Sequence, residues 1–342
     1  MKIINRLTLQ KPATLALAVV CCDFIFLDNV YGDVNFDWAT VGNVRNAADT
    51  TTLGSVDHVF RISKHEVTNA QYTEFLNAID AGGTNPNGVY NANIGSEERG
   101  GISLTSVATV GSTYVTKPNM GNEPVNFVSF FDAMRFTNWL ENGQPTDGSG
   151  TESGAYTIGT GLDEIRSPGT THFIPSEDEW HKAAYHHPAA AGGDADDYWL
   201  YPTGTNQSPS IAIASVTGNI SNPGTNIVNH LRTADWNGED GNVTSVGTAG
   251  AESASFYGTL DQGGNVWKLN EAVNLSFRGR RGGSWDSRTF NLASSHQPIG
   301  VFAGDDSITV GFRSASIPEP HMIVLVGIGS LLMPSLHRWF VV

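Results

Sequence analysis

The chain has 342 residues, of which 15% are charged, and its 34 Asp and Glu against 19 Lys and Arg give a formal charge of -15. That balance excludes a nucleic-acid partner, which needs a basic surface to displace the counterions of the phosphate backbone. With 38 glycines, the composition is that of a loop-rich globular chain, and the length suffices to bury a large core.

Residues 1–32 read as a signal peptide: Lys2, Arg6 and Lys11 form a basic start, Ala13 to Cys22 an apolar centre too short to be a membrane span, and Gly32 a small residue at a cleavage point. Both cysteines, Cys21 and Cys22, fall in this segment. The chain left after cleavage would have no disulfide, no cysteine nucleophile and no thiolate metal site.

Three helices are predicted from one device. Thr68 before Gln71, Ser129 before Asp132 and Ser176 before Glu179 each set a hydroxyl cap three residues ahead of a side chain that can bond back to it. After Thr68, residues Tyr72, Phe75, Leu76 and Ile79 share one helical face; after Ser129, Ala133, Phe136, Thr137 and Leu140 do so, with Trp139 at the edge. These stripes are core. Polar connectors, residues 81–123, 141–172 and 186–250, join the helices, and connectors of that length in a compact domain are functional or metal-held. No repeat and no dividing linker interrupts residues 33–316, which read as one domain.

His181, His186 and His187 lie at the end of the third helix, but a gap of five residues does not align two ligands on one helical face, so they read as surface or capping histidines. Further on, Gly263-Gly264 and Gly282-Gly283 each lead within three residues to a tryptophan, Trp267 and Trp285. Paired glycines ahead of a large ring predict close backbone packing beside a buried indole. The chain closes with Ile317-Pro318-Glu319-Pro320, an apolar run from Met322 to Met333, and the basic His337-Arg338.

Taken together, these segments resemble the formylglycine-generating enzyme, or sulfatase-modifying factor, family. Gly258 to Leu269 is similar to the family's Gly-Leu-Tyr-Asp-Met-x-Gly-Asn-Val-Trp-Glu-Trp, Arg281 to Trp285 to its Arg-Gly-Gly-Ser-Trp, and Gly311-Phe312-Arg313 to its closing triplet. Upstream, Glu66 to Tyr72, Pro124 to Leu140, Ile174 to Trp180 and Tyr201 to Gly204 extend the likeness. The resemblance implies an irregular, loop-rich α+β fold akin to C-type lectin domains. Residues 317–342 resemble a Pro-Glu-Pro C-terminal sorting signal of exported Gram-negative bacterial proteins, which implies export to the envelope, cell surface or medium, passage through export and sorting machinery, and transient membrane association through the tail.

The family's oxidase activates oxygen on copper(I) held by two cysteines, which fall here on Ser287 and Leu292. Neither side chain offers the soft thiolate that copper(I) prefers, so copper chemistry is not expected. Calcium is the cofactor the resemblance implies, with Asn226, Ile227, Asp240 and Asn242 at the positions of one family site. At a second family site the carboxylate after the tryptophan is replaced by Lys268, whose ammonium cannot ligate a metal and could take the cation's place.

Three functions follow. The favoured one is a non-catalytic, lectin-like binding protein that meets an extracellular glycan or peptide through Trp285, Asp286, Ser287, Arg288 and Asn291, with Phe290 and Gln297 beside them. An alternative is an oxygen-dependent oxidoreductase using other residues, namely Arg281, Ser284, Asp286, Ser287 and Arg288. A third is a structural envelope component.

Overall fold

The computed structural model describes residues 33–105 and 111–318; the signal segment with both cysteines, and the tail from Glu319 onward, lie outside the described residues. Among the described residues four α-helices form: α1 (Asn69–Ile79), α2 (Ala92–Ser96), α3 (Phe130–Glu141) and α4 (Glu177–Tyr185). The caps predicted for α1, α3 and α4 are complete capping boxes, in which the hydroxyl accepts a backbone N–H three residues on and that residue's side chain accepts the cap's own N–H. α2 corrects the reading of residues 81–123 as bare connector. Its single turn, capped by Asn91 and buried through Ile94, is too short to show a period.

The strands are brief: β1 (Trp38–Val41), β2 (Phe60–Ser63), β3 (Ile102–Leu104), β4 (Tyr114–Thr116), β5 (His172–Phe173), β6 (Ser210–Ile211), β7 (Ile227–Val228), β8 (Trp267–Asn274), β9 (Phe277–Arg281), β10 (Val310–Gly311) and β11 (Ala315–Ser316). A four-stranded sheet runs in the order β1-β2-β11-β5, with every pair antiparallel. Its register sets Ala315 opposite Ile62 on one side and Phe173 on the other, so the last strand is inserted between two earlier ones. A second sheet, β10-β8-β9, joins an antiparallel hairpin to a parallel edge strand, and β3-β4 and β6-β7 form two-stranded ribbons.

The core lies where α1 and α3 meet. Phe136 stacks on Tyr72 at 6.0 Å and meets Phe75 and Phe312 edge-on at 5.3 Å each. Trp139 is 2% exposed and sits 5.3 Å from Phe75, so it belongs to the buried stripe rather than to its edge. Buried aromatic pairs of this kind add about 1 kcal/mol each beyond their area.

Long loops need other fastenings, because they have few ladder bonds. In residues 141–172 side chains supply them. The Asn138 carboxamide donates to the carbonyls of Thr151 and Tyr156 and accepts from the Tyr156 N–H. Arg278, fully buried, donates to the carbonyls of Gly161, Glu164 and Glu271 and to the Glu164 carboxylate at 3.0 Å, while its guanidinium lies 4.2 Å over the Phe130 ring. An amide and an ion pair thus fasten this connector to α3 and β9.

Candidate functional site

The two glycine pairs pack on each other. Gly264 N–H donates to the Gly282 carbonyl at 2.8 Å, and Trp285 N–H donates to the Asn265 carbonyl at 2.8 Å. Gly264 (φ 75°) and Gly282 (φ 86°) are both left-handed, and a Cβ on Gly264 would strike the Asn229 carbonyl. Only glycine meets both conditions without strain. Trp267 and Trp285 are buried beside this crossing, as the pattern predicted.

Gly283 brings Ser287 and Leu292 together. A Cβ built on it would lie 2.8 Å from Leu292 Cδ2 and 3.2 Å from Ser287 Cβ, so the two side chains converge on one point. Leu292 is fully buried among Tyr201, Val228 and Ala293, and Ser287 is turned inward, its Oγ accepting the Ser284 N–H at 2.9 Å and lying 3.0 Å from Ser284 Oγ. The point therefore carries a sealed butyl group and an engaged hydroxyl.

The predicted recognition residues divide between surface and interior. Trp285 is 3% exposed and lies under two guanidinium groups, Arg99 at 4.8 Å and Arg232 at 5.6 Å, so its ring faces cations of its own chain. Asn291 is half-buried: its Oδ1 accepts the Arg288 N–H, and its Nδ2 is 3.1 Å from His296 Nε2. Asp286 is partly exposed and pairs with Arg232 at 3.1 Å, while Arg288 is exposed. Beside them Phe290, 57% exposed, stands edge-on to His296 at 5.4 Å. Of the residues considered for alternative catalysis, Ser284 is fully buried and Arg281 is buried with its Nε on the Glu177 carboxylate at 2.7 Å.

Of the oxygens considered for calcium, the Asn226 side-chain oxygen and the Asn242 carbonyl accept protein hydrogen bonds. Asn226 Oδ1 accepts the Thr203 hydroxyl and its Nδ2 donates to the carbonyls of Gln207 and Ser208. Ile227 pairs with Ser210 at the β6-β7 ribbon. The Asp240 carbonyl accepts from Arg99, and Asn242 bonds Val243 through Oδ1 and Asn229 through its carbonyl.

Sequence reasoning missed a closed ionic cluster. Lys268 Nζ donates to the Gly264 carbonyl at 2.5 Å and lies 3.1 Å from Glu66 Oε1; Glu66 Oε2 lies 3.5 Å from Arg313, and all three side chains are fully buried. Glu66 had shown only as the start of a helix signature and Arg313 as the end of a triplet. Of the histidines, His186 caps the C-terminus of α4 as expected, though it is buried with Nδ1 2.8 Å from the Tyr257 hydroxyl, whereas His181 is neither surface nor cap but buried on Asp49 at 2.9 Å. Burial lowers the basicity of both, with His186 falling to about 4.

Elsewhere a cleft of about 490 Å³ is lined by His58, Arg166, Ser167, Thr170, Ile317 and Pro318, among others. Its charges are already matched. Arg166 pairs with Glu179 and Glu271 at 2.8 Å each, and His58 bonds Glu179 at 2.9 Å, a bond that raises the His58 pKa.

Fold and site define a loop-rich α+β domain in which two glycine turns cross and hold a pair of facing positions beneath an exposed loop. The description of the Sulfatase-modifying factor enzyme 1-like domain matches residues 32–317, and the chain belongs to that family. Among solved structures it is similar to CarF (20% identity, 83% of this chain and 99% of that one, TM-score 0.48). It is also similar to Treponema denticola variable protein 1 (18%, 85% and 98%, TM-score 0.49) and to PvdO from Pseudomonas aeruginosa (13%, 82% and 91%, TM-score 0.40). No curated protein matches the chain.

Proposed function

We propose that this chain is an exported, envelope-associated ligand-binding domain that lacks the copper oxidase chemistry its family resemblance would imply. The observation that carries the proposal is the pair beside Gly283: Ser287 and Leu292 converge where the resemblance sets two cysteines, and neither can supply a thiolate. Residues 33–318 contain no cysteine to replace them.

An intact scaffold around an emptied position leaves the loop above it as the working surface. Arg232, Asp286, Arg288 and Phe290 offer a bidentate donor, an acceptor and an aromatic face, which suit an extracellular glycan or peptide. Export through residues 1–32 and sorting through residues 317–342 belong to the same reading. Glycan and peptide arrays probed with the purified protein are expected to return a ligand, and Arg288→Ala or Phe290→Ala to weaken it about tenfold, the effect of losing one anchoring side chain. Arrays at background, together with oxygen uptake in the presence of a thiol substrate, would reverse the proposal.

A further inference from the structure

We propose that the Lys268 ammonium is a resident cation that holds the Gly263-Gly264 turn in the core and makes this turn independent of any divalent ion. The geometry is that of a ligated cation. One carbonyl oxygen, from Gly264, and one carboxylate oxygen, from Glu66, approach Nζ at 2.5 and 3.1 Å, and the side chain is fully buried.

Gly264 lies four residues before Lys268, in the loop that leads into β8, while the other partners come from segments distant in sequence. Glu66 precedes α1, and Arg313 lies between β10 and β11, donating to the carbonyls of Ser63 and Leu260. Asp261 completes the group, accepting the Gly247 N–H at 2.6 Å. Two cations face two carboxylates, so the cluster closes neutral. Each ion is costly to bury alone, which makes the full set necessary.

The charge also fits the substitution. A divalent ion held by a carboxylate at residue 268 would bring a net charge of +1, and a lysine there brings the same charge on a covalent tether. Glu66, Arg313 and Asp261 therefore meet the same field with no ion bound. Burial lowers the Lys268 pKa to about 8, with the Glu66 carboxylate opposing that fall, so the ammonium form persists at neutral pH.

The test is thermal unfolding of wild type, Lys268→Met and Lys268→Glu, each in EDTA and in millimolar calcium near pH 7. Lys268→Met keeps the length and loses the charge; it is expected to unfold earlier, with a calcium response equal to that of wild type. Lys268→Glu is expected to unfold earlier in EDTA and to gain roughly 5 °C or more beyond the wild-type response when calcium is added. Hydrogen exchange on the wild-type chain covers the case in which neither variant folds, with the amides of residues 262–268 equally protected in EDTA and in calcium. Loss of that protection in EDTA, a Lys268→Met midpoint equal to wild type, or no extra calcium response in Lys268→Glu would overturn the proposal.

Discussion

Glu123 should make the stability of this protein depend on pH. The side chain is fully buried, its Oε1 accepts the Ser245 hydroxyl at 2.6 Å, and its Oε2 has no hydrogen-bond partner among the described residues. Burial lifts its pKa from 4.5 to about 7. Below pH 4.5 both folded and unfolded chains hold the proton, and the group imposes no penalty. Between pH 4.5 and about 7 the unfolded chain releases the proton while the folded chain keeps it, so stability falls as pH rises and then levels off. At about 1.4 kcal/mol per pH unit the full loss is roughly 3 kcal/mol. Glu123→Gln preserves the shape and cannot ionise. Its amide introduces buried donors, whose cost of about 1–3 kcal/mol does not vary with pH. Denaturant titrations of both proteins from about pH 4 to about pH 8 should therefore show the difference in unfolding free energy moving by roughly 3 kcal/mol in favour of the variant. Parallel curves would refute the reasoning and place a hydrogen-bond donor or water beside Oε2.

Arg278→Met removes four hydrogen bonds to the 161–164 loop and the 271 carbonyl and strands the Glu164 carboxylate, so a loss of about 3–5 kcal/mol is expected in denaturant unfolding. Limited proteolysis of that variant should cut first near residues 159–166. Gly264→Ala forces a Cβ onto the Asn229 carbonyl at a left-handed position and should lose about 1–3 kcal/mol, read by thermal unfolding. Ser129→Ala removes the oxygen that accepts the Asp132 N–H and should lose about 1 kcal/mol by the same measurement.

What the sequence disclosed and what it hid have separate physical causes. Capping boxes are local, so Thr68, Ser129 and Ser176 identified three helix starts that tertiary packing then kept. The glycine pairs were legible for a similar reason: backbone that passes within hydrogen-bond distance of other backbone excludes a Cβ, and that exclusion is written directly into residue type. The sheets were not legible. Apart from the eight-residue β8, the strands have two to five residues and carry no usable alternation, and β11 acquires its identity from Ile62 and Phe173, far away in the chain. Buried charge was hidden more deeply, because periodicity treats Lys268, Arg278 and Glu66 as solvent-facing residues when all three are in the interior. In a fold with so little regular secondary structure, interior hydrogen bonds must come from side chains that reach loop backbone, and a long charged residue reaches farthest. Lys268 reaches the Gly264 carbonyl and Arg278 the Gly161 carbonyl, each from a strand to a glycine turn. The recurrence of that arrangement argues that in loop-rich chains an isolated cation on a strand, with glycine turns elsewhere in the sequence, is a fastening of the fold before it is a surface charge.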